Sequence, residues 1–168
     1  MPNNVTNIIH ADKEVLDALM SKDSEVDFSS IIPMPEHIFR GNLGLAEREK
    51  YGADNWFDWS VNNWGTKWNA YGEEGRIDDE VVKFDTAWSH PLPVIKALSR
   101  KFPDNLLHVE YADEDLGVNF GCYNMKNGEI IENFATFEER STEARDFASE
   151  IRHGMTYAEL RKKWAAEG

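Results

Sequence analysis

Hydrophobic and polar positions alternate with two different periods along the chain. Residues 5–10 (VTNIIH) are rich in β-branched side chains and predict a first strand. Asp12 then stands where a helix N-cap belongs, and Val15, Leu16, Leu19 and Met20 fall on one face behind it. The polar, acidic run 22–27 ends that helix. Residues 28–35 (FSSIIPMP) read as extended, because prolines at 33 and 35 oppose a helix. From 36 to 55, Ile38, Phe39, Leu43, Leu45 and Tyr51 give a weak helical period broken by Gly41, Gly44 and Gly52. Residues 54–71 carry Trp56, Trp59, Trp64 and Trp68 and read as a tight loop pinned by aromatics, followed by an acidic loop over 73–80.

The second half is more regular. Residues 81–88 predict a strand. Leu92, Ile95, Leu98 and Phe102 then recur at helical spacing, with prolines in the first turn and Pro103 as the stop. Residues 106–111 and 118–125 predict two more strands, separated by the acidic turn 113–115, and 129–135 predict a last short one after the Asn127-Gly128 turn. Thr136 with Glu139, and Thr156 with Glu159, have capping-box spacing and predict two closing helices. The expected fold is α+β: a ferredoxin-like, mainly antiparallel sheet with helices on one face, plus C-terminal helices. Residues 1–135 form the expected ferredoxin-like α+β domain with a Trp-rich insertion, and 136–168 a C-terminal helical extension.

Charge narrows the function classes. The 168 residues include 31 acidic and 18 basic side chains, for a formal charge of −13. Phosphate contacts need excess Lys and Arg, so direct nucleic-acid binding and binding to anionic membranes are both disfavoured. The lone Cys122 allows no disulfide within the chain. The N-terminus lacks the basic start and apolar run of a signal peptide, and no apolar run approaches the ~20 residues of a membrane span. These features lead us to expect a soluble protein of the cytoplasm.

Candidate chemistry is sparse. The five histidines (10, 37, 90, 108, 153) show no helical pairing and no zinc-type spacing with Cys122, so no metal and no cofactor is expected. Cys122 reads as a packed thiol. His90, before a Pro-rich helix start, is either a proton shuttle or a polar helix opening. The tryptophan run could stack bases, but it carries only Lys67 as a cation, which favours a core or loop anchor. Trp64 and Trp68 are kept as candidate partner contacts. On a helix starting near Phe137, Glu139, Glu143, Asp146 and Glu150 would share one face, roughly 5–6 Å apart along the axis. Together with Asp113, Glu114 and Asp115, such a row could imitate a phosphate backbone; it also suits an ordinary solvated face.

Residues 63–71 (NWGTKWNAY) and 84–93 (FDTAWSHPLP), with the opening Met1-Pro2-Asn3, Asn7 and Ile32-Pro33-Met34-Pro35, resemble the YubB ferredoxin-like domain family. The resemblance spans roughly residues 1–125 and departs from the family at Asn4-Val5, where Trp-Cys is common. It implies a ferredoxin-like fold and a setting on phages, prophages and conjugative plasmids, and it implies no catalytic residue. The expectation is a mobile-element accessory protein acting by binding in the host-cell cytoplasm. Its most concrete form is an acidic inhibitor of a host defence nuclease, of anti-CRISPR or anti-restriction type, whose partner is a nucleic-acid-processing effector. The alternatives are an Mg²⁺-dependent enzyme acting on nucleotides or nucleic acid, and a structural assembly protein of the element.

Overall fold

The computed structural model describes all 168 residues. Its organising element is strand β1 (Asn4–His10), which lies inside the sheet rather than at an edge. Strands β2 (Tyr71–Arg76), β3 (Val81–Ala87), β4 (Leu107–Asp113), β5 (Phe120–Lys126) and β6 (Glu129–Asn133) complete it. The order is β2-β3-β1-β4-β5-β6, and every neighbouring pair is antiparallel. β3 and β4 therefore run the same way with β1 inserted between them. They are joined through helix α4 (Leu92–Lys101), a split β-α-β crossover. This is the ferredoxin-like α+β architecture expected from the sequence, widened to six strands.

Side-chain alternation gives the sheet two faces. On the first, Ile9, Val82, Phe84, Leu107, Val109, Tyr123 and Met125 meet helix α1 (Lys13–Leu19) through Val15, Leu16 and Leu19, and α4 through Val94, Ile95 and Leu98. Each buried aliphatic side chain here contributes roughly 1.5–3 kcal/mol. Phe28, in a short 3₁₀ turn at Phe28–Ser30, and Trp64 close the same core. On the second face, helix α5 (Thr142–His153) places Ala148 and Ile151 against Ala112, with Ile8, Phe120 and Phe147 around them. Helices thus lie on both faces. Arg152 pins α5 to the sheet by donating to the Asn4 carbonyl at 3.1 Å and to Thr6 Oγ1 at 3.0 Å. Helix α6 (Tyr157–Glu167) starts with the expected capping box, in which Thr156 and Glu159 bond reciprocally.

Three local expectations are corrected. The span 54–71 is not all loop: Trp56–Asn63 forms helix α3, started by the Asn55 side chain, which accepts from the Asp58 amide at 3.0 Å. A further short helix, α2 (Leu45–Tyr51), precedes it in the weakly patterned stretch. The acidic loop begins later than expected, because Tyr71, Gly75 and Arg76 pair with β3 and bulge Gly72–Glu74 outward. Finally, α5 does not start near Phe137. Arg140 donates its amide to the Gly117 carbonyl, Phe137 packs on Phe120 and Phe147, and Ser141 provides the cap by accepting from the Ala144 amide at 3.1 Å.

Candidate functional site

The segments 63–71 and 84–93 are distant in sequence, yet they meet at one end of the first sheet face. Their base is a closed polar network. Asn7 of β1 is fully buried, and its Nδ2 donates to Thr86 Oγ1 at 2.9 Å and to the Val5 carbonyl at 3.0 Å. That leaves Asn7 Oδ1 to accept from His90 Nδ1 at 2.7 Å. His90 Nε2 then accepts from the Tyr123 hydroxyl at 2.6 Å, so the ring is neutral with its proton on Nδ1. Burial holds its pKa at about 3, far below the usual 6.5. Burial likewise pushes the Tyr123 and Tyr111 hydroxyls up. Tyr111 stacks flat on His90, with centroids 4.2 Å apart. It can do so because Gly121 stands across the strand pair, where a Cβ would lie 2.3 Å from the Tyr111 ring. Thr86 also donates to the Ser89 carbonyl, and Ser89 to the Gly65 carbonyl, which ties the two segments together.

Above this base the aromatics turn outward. Trp68 is 36% and Trp88 44% exposed. The Lys67 ammonium lies between them, 4.5 Å from the Trp68 ring and 4.9 Å from the Trp88 ring. Each such contact contributes about 0.5–1 kcal/mol at an exposed site. Trp88 has a backbone φ of +73°, a left-handed conformation costly for a bulky residue. It is held there by its amide donating to the Asn3 carbonyl, by Asn119 Nδ2 donating to its carbonyl, and by edge contact with Phe57. Beside Trp68 opens a cleft of about 530 Å³ lined by Met1, Pro2, Asn4, Trp68, Tyr71 and Glu114. The Tyr71 hydroxyl donates to Asn4 Oδ1, which fixes the cleft floor.

The structure sorts the candidate contacts. Trp68 and Glu114 line one cleft, and Asp115 is exposed next to Glu114. Trp64 is core instead: it is 4% exposed, its Nε1 donates to the Ile32 carbonyl, and its ring meets Phe28 and Trp59 edge-on. Asp113 is also structural. It is buried and accepts from Asn3, from Asn119 and from the Asp115 amide. The four-membered acidic row does not form, because Glu139 precedes α5. Asp146 accepts the Tyr157 amide at the α5–α6 junction, so only Glu143 and Glu150 remain as free helical carboxylates, about 10 Å apart along the axis.

Two features escaped the sequence pattern. The Asn7–His90–Tyr123 chain joins β1, the turn before α4 and β5, which meet only in the folded chain. On the opposite sheet face, His10, His108, Glu110 and Cys122 gather from three strands. His10 is remote in sequence from the other three, and His108, Glu110 and Cys122 match no zinc-type spacing, so no linear metal motif marks them. The alternation His108-x-Glu110 was the one local hint that two of them share a face.

Comparison with known proteins adds the family. No curated protein matches the chain. A crystal structure of the protein Api92 from Yersinia pseudotuberculosis aligns at 17% identity and a TM-score of 0.39, covering 54% of this chain and 33% of that one. The chain thus matches about a third of the length of that protein. A family model described as the ferredoxin-like domain in Api92-like proteins matches residues 67–154, which takes in strands β2 to β6, the whole of α4 and α5, and the Lys67–Trp68 and Trp88–His90 segments. With just over half of its residues matched and a ferredoxin-like sheet in its fold, the chain belongs to the family of Api92-like ferredoxin-like domains.

Proposed function

We propose that this chain acts by binding a protein with a basic contact surface, and that Trp68, Trp88 and Lys67 form the docking platform. The observation that carries this reading is Trp88. A half-exposed tryptophan is held in a left-handed conformation by three separate contacts, and its ring faces solvent beside a second exposed tryptophan. Exposed tryptophans of this kind are the usual anchors of protein interfaces. Glu114, at the mouth of the adjoining cleft, supplies a carboxylate for a partner's Lys or Arg, and the charge of −13 steers basic surfaces toward the chain.

In the mobile-element setting that the family resemblance implies, the most concrete partner is a nucleic-acid-processing defence effector of the host cell, because such proteins carry basic channels. The test is a pull-down from nuclease-treated host lysate using wild type, the double variant Trp68→Ala/Trp88→Ala, and Glu114→Lys. The expected result is one nucleic-acid-processing protein retained by wild type, lost from the double variant, and weakened by Glu114→Lys and by high salt. Equal retention by the double variant would remove the platform from the proposal.

A further inference from the structure

Helix α5 covers only part of the second sheet face. It lies over Ile8, Ala112 and Phe120; in the rows beyond, Phe134 packs on His108 and Cys122 is buried. Strand register places His10 beside His108, and His108 beside Asn124. In the next row Glu110 stands beside Cys122. One imidazole from β1, an imidazole and a carboxylate from β4, and a thiol from β5 therefore project from adjoining positions of one face.

Their donor atoms converge. One ligand atom each of His108, Glu110 and Cys122 lies within 4.8 Å of the others. Cys122 Sγ is 3.7 Å from His108 Nε2, Glu110 Oε1 is 4.0 Å from His108 Nε2, and Glu110 Oε2 is 3.3 Å from His10 Nε2. Tetrahedral zinc, with bonds of about 2.0–2.3 Å, needs donors roughly 3.3–3.8 Å apart; the Cys122–His108 and Glu110–His108 separations are close to this, and His10 reaches the group through Glu110. His108 is already oriented for this role. Its Nδ1 donates to Asn124 Oδ1 at 2.8 Å, which leaves the Nε2 lone pair facing the cluster. Asn124 is held in turn by donating through Nδ2 to Glu132 on β6 at 3.3 Å. An outer hydrogen bond that fixes the tautomer of a ligand imidazole is characteristic of metal-binding histidines.

We infer that His10, His108, Glu110 and Cys122 form a binding site for a zinc-class divalent cation, with Asn124 as the residue that orients His108. Two imidazoles, a carboxylate and a thiolate favour Zn²⁺ over Mg²⁺ or Ca²⁺, which prefer all-oxygen shells. The site is separate from the tryptophan platform and lies on the other side of the sheet. A filled site would tie β1, β4 and β5 together through their side chains.

Cobalt(II) is the probe, because a Co²⁺–thiolate bond is visible. The metal-free full-length chain is titrated with Co²⁺ at neutral pH and then with Zn²⁺. The expected result is a near-ultraviolet thiolate-to-cobalt band with visible bands of tetrahedral intensity, saturating at one equivalent and erased by one equivalent of Zn²⁺. Zn²⁺ should also raise the melting temperature of wild type. Cys122→Ser should abolish the near-ultraviolet band, and His108→Gln should weaken affinity at least tenfold. Asn124→Ala should keep the band while weakening affinity by about 10–100-fold. Absence of the band in wild type overturns the site and does not depend on any variant folding. Zinc affinity unchanged in both Cys122→Ser and His108→Gln would assign the metal to surface carboxylates and overturn it equally.

Discussion

His90 makes the stability of the fold depend on pH in a way that one substitution isolates. In the folded chain its ring is neutral, sharing hydrogen bonds with Asn7 and Tyr123, and burial keeps its pKa at about 3. In the unfolded chain the same ring takes up a proton below its ordinary value of about 6.5. Between those two values the unfolded state holds the extra proton, so stability falls as pH falls. One pKa unit corresponds to about 1.4 kcal/mol, so lowering the pH from 7 to 5 removes about 2 kcal/mol through this residue. In His90→Gln the amide N–H can still donate to Asn7 and the amide oxygen can still accept from Tyr123, yet nothing titrates. Carboxylates and His153 titrate in both proteins and cancel in the comparison. Urea unfolding at pH 7, 6 and 5 should show wild type losing about 2 kcal/mol more than His90→Gln. Parallel losses in the two proteins would refute the closed network, since a solvated imidazole would titrate alike in both states.

Other substitutions read out the assignments independently. Trp64→Ala should cost about 3–5 kcal/mol in urea unfolding, as expected of an aromatic packed on Phe28 and Trp59 rather than a surface contact. Gly121→Ala should displace Tyr111 and cost about 1–3 kcal/mol, and the changed ring stacking should appear as shifted His90 imidazole resonances in NMR. Trp88→Gly removes the left-handed strain together with the ring. Its melting temperature should stay close to that of wild type while partner retention in the pull-down is lost.

The legibility of the sequence followed the locality of each signal. β3 and α4 carry a clear period of two and of 3.6, because each is buried on one face, while β1, covered on both faces, is marked by its β-branched residues instead; these signals placed all three within a residue or two of their observed ends. β2 (YGEEGR) carries no such period. It is an acidic, glycine-containing edge strand, defined by its pairing with β3 rather than by burial. α3 was hidden because Trp56, Phe57 and Trp59 spread aromatics around the helix, which removes the polar face that marks one. Thr136 and Glu139 made a false start for α5, since the same spacing arises in a segment held extended by Gly117 and the Phe120 cluster. The candidate sites were the least legible part. His90 needs Asn7 and Tyr123, and His108 needs His10 and Cys122. His90 is brought to its partners by the turn between β3 and α4, and His108 to its partners by the sheet register, and neither is visible in a linear pattern.

The place of β1 has a consequence for how the chain acquires its structure. The strand precedes both of its neighbours in sequence, since β3 begins at Val81 and β4 only at Leu107, so it gains its two partners one after the other from far along the chain. Its ladder joins residues about 70–110 apart in sequence, and such contacts demand long loop closures before they stabilise anything. Folding of this domain should therefore be slow for its size, with α4 and the β4–β5 hairpin forming early and β1 slotting between β3 and β4 as the late, committing step. Until then the apolar residues Val5, Ile8 and Ile9 stay open to chaperones, which makes β1 the most vulnerable strand of the unfinished domain.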